Sequence, residues 1–313
     1  MFTLVATTVG AAVVTIGRIT PTGGPLTIFW GDGTSTVVAD GSIILQAHNY
    51  AGAGTWYITI TPASRITQVA LTDAQLSGLK SAQLKDSAMT YFVCYTMGNA
   101  EANVINSSDM VNWTALTRWQ MFSMPGTHNI DTADMVTWTA LTYWGLYLMP
   151  AGTYSIDSAD MVGWTALEYW ILYFMPAGTY SINTADMVGW TLLEQWWLQN
   201  MPTGTYTFAA ACMANWIKAI LIYAHSLLDG GVDLTQADVD AILLDAHNGL
   251  AARSAIAGTI RVAGTNAAPS GIFQAAAACP VDGATPGKEI AHELLNDGCA
   301  TGGNVWATVT FTP

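Results

Sequence analysis

Few side chains in this sequence are spaced for chemistry. Glu289 and His292 make an ExxH pair on a stretch predicted to be helical, but a carboxylate-bridged metal site takes two such helices. His292-Glu293 lacks the second histidine of HExxH, so a solvated helix face accounts for it. Asp229, Asp233 and Asp240 echo a calcium loop without its sixth-position glycine or its terminal glutamate. The remaining histidines, His48, His128, His225 and His247, are scattered, and no GxSxG, P-loop or dinucleotide glycine motif occurs. Four acids recur in equivalent places, Asp109, Asp134, Asp160 and Asp186. Recurrence marks a structural position, and each is expected to cap the short turn it opens by accepting backbone N–H groups. No catalytic residue, metal ligand or cofactor is therefore assigned, and the chain reads as non-catalytic.

Composition narrows the partners. Nine Lys and Arg stand against 22 Asp and Glu, a net charge of −13 with no basic stripe. A phosphate backbone would be repelled, which excludes nucleic acid. Charged residues are only 10% of the 313, far below the usual quarter, a style that suits extracellular and virion proteins. No apolar run is long enough to span a bilayer. The first residues, MFTLVATTVGAAVVTIGRITP, lack the basic opening of a secretion signal and predict a strand pair instead. Cys94 and Cys212 lie in apolar runs and read as core, whereas Cys279 and Cys299 lie in Gly/Asp-rich segments and form a candidate disulfide.

Residues 1–62 read as all-β, with strand runs such as Leu26–Trp30 and Thr55–Ile60 between Gly/Asp turns. Trp30-Gly31-Asp32-Gly33-Thr34, followed by His48-Asn49-Tyr50 and Gly54-Thr55-Trp56-Tyr57-Ile58-Thr59-Ile60, resembles the WGDGT signature and closing strands of PKD-type β-sandwich domains. That resemblance implies an N-terminal sandwich, with Asp32 a turn residue between glycines of positive φ.

Residues 63–208 hold a tandem repeat. Asp-Met-Val-x-Trp begins at Asp109, Asp134, Asp160 and Asp186, at intervals of 25, 26 and 26 residues. Each unit follows Met-x-x-Trp-x-x-Leu-x-x-Trp-x-Leu-x-x-Met-Pro-x-Gly-Thr-Tyr-x-Ile, and Met89-x-x-Phe92-x-Cys94-x-x-Met97 and Ile66-x-x-Val69-x-Leu71 fit it more loosely. The frame is similar to the leucine-rich-repeat pattern LxxLxxLxLxxNxLxGxI, with Trp at two Leu positions and Met in place of Asn. The resemblance implies a divergent leucine-rich-repeat-like solenoid, of the kind seen in bacterial surface and phage proteins. Stacked units would share one core, with Trp113, Trp138, Trp164 and Trp190 in one internal column and Trp119, Trp144, Trp170 and Trp196 in another. Residues 209–313 read as a C-terminal α/β cap. Thr235 N-caps a helix with Asp238 at its third position, a strand covers 258–262, a second helix lies near Lys288–Leu295, and a last strand spans Val305–Phe311. The fold class expected for the whole is thus mixed α/β.

Within the repeats the framework is nearly constant, while positions flanking the strand vary. Strand alternation turns these outward, giving an aromatic binding face of Phe122, Tyr143, Tyr147, Tyr169, Tyr173, Phe174 and Trp197. Such a patch marks an interaction site. The function expected is recognition of, or adhesion to, a protein or glycan on a host or particle surface, in a virion or at a cell surface. A phage structural or host-attachment component fits best, because lysis would release it without an export signal. The alternative is a self-assembling coat, sheath or filament subunit joined copy to copy through the same face.

Overall fold

The structure, a computed structural model, describes residues 1–43, 45–98, 102–209, 212–229, 231–248, 258–270 and 308–311. The ExxH pair, Cys279, Cys299, the helix near 288–295 and the start of the last strand lie outside them. The chain divides into two compact units, Met1–Ser155 and Ile156–Pro313.

The repeat has a physical logic that its spacing encodes. Met, Trp and Leu recur every third residue because the backbone there winds in successive i→i+3 turns. Trp113 N–H donates to the Met110 carbonyl and Leu116 N–H to the Trp113 carbonyl, both at 2.9 Å, and Trp138 and Leu141 repeat the pattern. Three residues per turn stacks Met, Trp and Leu on one side, and all of them are buried. A five-residue strand follows (Arg118–Phe122, Tyr143–Tyr147, Tyr169–Tyr173, Gln195–Gln199), then a turn, then a second strand (Thr127–Asp131, Thr153–Asp157, Thr179–Asn183, Thr203–Thr207). Within each unit, each repeat thus contributes one strand to each of two parallel sheets.

In the first unit, Tyr91–Tyr95, Arg118–Phe122 and Tyr143–Tyr147 pair in parallel and in register, Trp119 beside Trp144. Ile66–Leu71 joins them in parallel and is flanked by the antiparallel Arg18–Pro21. In the second unit, Tyr169–Tyr173, Gln195–Gln199, Leu221–His225, Thr259–Val262 and Thr308–Phe311 are likewise parallel. A further unit, Met213 to Leu227, continues the frame past residue 208, with Trp216, Ile222 and Ala224 at the buried positions. Helix Gln236–Asn248 opens with the expected cap. Thr235 Oγ1 accepts from Asp238 N–H, while the Asp238 carboxylate accepts from Thr235 N–H and its hydroxyl. Val239, Ile242, Leu243 and Ala246 form the helix's buried face.

Two columns of indoles fill the repeat core. Trp119 and Trp144 stack with centroids 5.6 Å apart at 19°, as do Trp170 and Trp196 at 5.8 Å and 17°. In the other column the indole N–H groups donate to main-chain carbonyls one repeat back, Trp138 to Met110 and Trp190 to Met161, at 3.3 Å. A third ladder is polar. Ser107 Oγ is fully buried, accepts from Asp131 N–H at 2.9 Å and donates to Asp134 Oδ2 at 2.5 Å. Ser158 does the same for Asn183 and Asp186. The recurring acids therefore join one repeat to the next. The caps are the preceding residues, Asp131, Asp157 and Asn183, each accepting the N–H two residues on.

Several expectations are overturned. The mixed α/β class gives way to a mostly β protein: among the described residues strand accounts for 43% and helix for 13%, with one α-helix, in mixed and parallel sheets without a closed barrel. The leucine-rich-repeat-like solenoid is not what forms. Its three-residue spacing is used for 3-10 winding, and the Thr-Tyr-x-Ile segment builds a second parallel sheet. The C-terminal α/β unit shows one helix beside strands that extend the repeat sheet. Nor does the PKD-like sandwich close over residues 1–62. Phe2–Thr8 pairs with Leu76–Ser77 as well as Gly54–Thr61, Arg18–Pro21 pairs with Ile66–Leu71, and Ala12–Ile16 pairs with Gln46–Tyr50 apart from both. Strand alternation fixes which face is buried but leaves the partner to long-range packing. The WGDGT turn itself forms as read. Asp32 Oδ1 accepts from Thr34 N–H and its hydroxyl, and Gly31 and Gly33 hold φ of 87° and 92°.

Candidate functional site

Strand alternation puts Trp119, Met121, Trp144 and Leu146 in the core and turns Arg118, Gln120, Phe122, Tyr143, Gly145 and Tyr147 to the other face. In the first unit the register then aligns two rows across three strands. Tyr91, Arg118 and Tyr143 form one row, and Tyr95, Phe122 and Tyr147 the other. The Phe122 ring lies 6.1 Å from Tyr95 and 6.2 Å from Tyr147. The Arg118 guanidinium lies 3.9 Å from the Tyr143 ring centroid and 6.0 Å from that of Tyr91, which Arg18 also approaches at 4.8 Å. Tyr143 and Tyr147 lean together over Gly145 until their hydroxyls bond. A Cβ on Gly145 would stand 2.6 Å from the Tyr147 ring. The walls cover the floor, since Val93 and Gln120 are buried. The result is an aromatic plate. Burial raises the phenol pKa of Tyr95, Tyr143 and Tyr147, so their hydroxyls stay protonated at neutral pH.

Beside the second row runs a shallow groove of about 390 Å³, lined by Thr96, Ser123, Leu148, Met97, Met124 and Pro125, among others. Thr96, Ser123 and Leu148 on its rim are left-handed residues, each following a strand, with φ of 42°, 45° and 49°; in the second unit Phe174, Asn200 and Ser226 hold the same conformation after their strands. That conformation lets the Ser123 N–H extend the parallel ladder to the Tyr147 carbonyl at 3.0 Å.

The second unit carries its own aromatic group. Tyr173 stands edge-on to Phe174 at 4.6 Å and to Trp197 at 5.7 Å, and Trp197 lies 5.0 Å from Tyr223. Trp197 Nε1–H donates to Gln199 at 2.8 Å. The Tyr169 hydroxyl donates to Glu194 at 2.5 Å. Phe174 reaches the surface from the left-handed turn and not from the strand, and it is 44% exposed. The other six predicted face residues are half-buried. Sequence comparison among repeats missed Tyr91, Tyr95 and Tyr223, which lie on strands outside the four clear units. It also passed over Arg118, whose place is legible only from its ring contacts. The recurring valine of each turn is exposed too, at Val111 and Val136 in the first unit and Val162 and Val188 in the second.

No protein-family model matches this chain, and no curated protein matches it. Among the described residues no helix is long and apolar enough to cross a membrane.

Proposed function

We propose that the protein is a non-catalytic recognition protein of a virion or cell surface, and that its repeats are a rigid frame for an aromatic binding face. The observation that carries this reading is the registered pair of rows in the first unit, where every repeat strand offers a Tyr, Phe or Arg at both ends. Aromatic side chains give large contact area at low entropy cost. Their rings here are positioned by parallel pairing and by indoles stacked beneath. The phage host-attachment role rests on composition, and the partner is a surface glycan or protein. The experiment is a glycan and host-cell binding screen of the wild type against Tyr147→Ala/Tyr173→Ala. Binding should drop by tenfold or more, on the order of 1.4 kcal/mol; a double variant that binds as well as wild type sinks the assigned face.

A second reading, a self-assembling coat, sheath or filament subunit, is favoured by the recurring exposed valines. Light scattering over a concentration series separates the two: a mass that stays at one chain supports the binder, and a mass that climbs supports the subunit.

A further inference from the structure

We infer that the plate of the first unit takes a carboxylated sugar, with Arg118 meeting the carboxylate and the neighbouring tyrosine rings stacking on the sugar. This deepens the proposed function and rests on it. The chain holds 22 acids and nine Lys and Arg, yet among the described residues no Lys or Arg lies at ion-pair distance from a carboxylate; Arg118 is set apart by its burial among rings. The strands Arg18–Pro21, Ile66–Leu71, Tyr91–Tyr95, Arg118–Phe122 and Tyr143–Tyr147 contain no Asp or Glu. Among the described residues neither Arg18 nor Arg118 has a carboxylate at ion-pair distance. Arg118 is half-buried against Tyr143, one of its Nη groups donates to Gln120 at 2.7 Å, and its Nε–H is buried without an acceptor. A partly desolvated guanidinium held in place by a ring and an amide, with its charge uncompensated, is complementary to an external anion.

The rest of the plate says which anion. Flat rings beside hydroxyl and amide groups suit a pyranose, whose C–H face is apolar and whose edge carries hydroxyls. An acidic peptide fits less well. Tyr91–Tyr95 and Arg118–Phe122 are paired on both sides, so they offer no free main-chain edge to an extended strand.

The test uses the full chain and paired probes: sialyllactose against lactose, polygalacturonate against its methyl ester, and polyglutamate as the peptide anion. Carboxylated sugars should bind at least about tenfold more tightly than their neutral counterparts, and the preference should shrink as salt rises. Arg118→Gln should abolish the preference; Arg118→Lys, which keeps the charge, should retain part of it. Thermal melts of both variants show that they are folded. Equal binding of acid and neutral probes, no binding of either acid, a preference that survives in folded Arg118→Gln, or polyglutamate binding as tightly as the sugars would each overturn the inference. Tyr147→Ala keeps the two readings apart. If it weakens acid and neutral sugars alike and they bind equally, the face stands and the carboxylate falls; if it weakens nothing, the face itself falls.

Discussion

Single residues show where the repeat is tuned and where it is strained. Leu148 adopts the left-handed conformation at φ 49° while 41% exposed, and Asn200 fills the equivalent place at φ 50°. A leucine there costs about 1 kcal/mol relative to residues that tolerate the region. Leu148→Asn should therefore raise stability by about 1 kcal/mol, read as a shift in the urea midpoint. His128 occupies the position held by Tyr154, Tyr180 and Tyr206 in later repeats. Its Nε2 lies 2.8 Å from the Met124 carbonyl, where those tyrosines donate to Pro150, Pro176 and Pro202. Burial lowers its pKa. The unfolded chain gains a proton near pH 6.5 and the folded chain does not, so stability is full above that pH and falls below it. The midpoint should decline from pH 7 to pH 5, and His128→Tyr should reduce the decline. Asp32 acts in a lower window. Thr34, with His48, holds its pKa at about 2 against an ordinary 3.8, so its contribution is present above pH 3.8 and is lost as pH falls toward 2.

At the scale of the element, the buried hydroxyl of each 3-10 turn is the polar link between repeats. Ser107→Ala would leave the Asp131 N–H and the Asp134 carboxylate each short of a partner inside the protein. The expected loss is about 1–3 kcal/mol, measurable by denaturant titration. Ser107→Thr should be tolerated, because Thr132 and Thr184 occupy the same position one and three repeats on and are equally buried. The turn between strands shows a length constraint as well. The first repeat lacks the alanine that follows proline in the next two, and the chain makes the shorter turn through Gly126 at φ 137°, where a Cβ would meet the Asn103 carbonyl at 2.2 Å. Insertion of that alanine, not replacement of the glycine, is the change this turn should accept.

For the whole molecule, the decisive property is its acidity, nine Lys and Arg against 22 Asp and Glu. A charge of −13 keeps copies apart, and the expected result in moderate salt is a single-chain mass by light scattering. Growth of that mass with salt would implicate the exposed valines, because screening removes the repulsion and leaves the apolar contacts. The same salt series should weaken carboxylated-sugar binding, so opposite salt trends mark the two roles.

The repeat, its period and its buried Met, Trp and Leu positions could be read from residues alone, because a residue type that returns every 26 positions in an apolar frame must stack on its own copy. The Thr235 cap and the Asp32 turn were equally legible, since a side chain bonding within three residues needs no distant partner. The tertiary structure decided what those positions became. Spacing by three suits a leucine-rich repeat and a 3-10 winding alike, and only the pairing of Thr-Tyr-x-Ile into a second sheet separates them. It also decided the partners of Phe2–Thr8 and Arg18–Pro21, which lie far along the chain. The proposed binding face was half legible. Alternation turned Phe122, Tyr143 and Tyr147 outward, but that Arg118 rests on Tyr143 without a carboxylate is a matter of register between strands. Register is set where side chains meet across repeats, and no single repeat contains it.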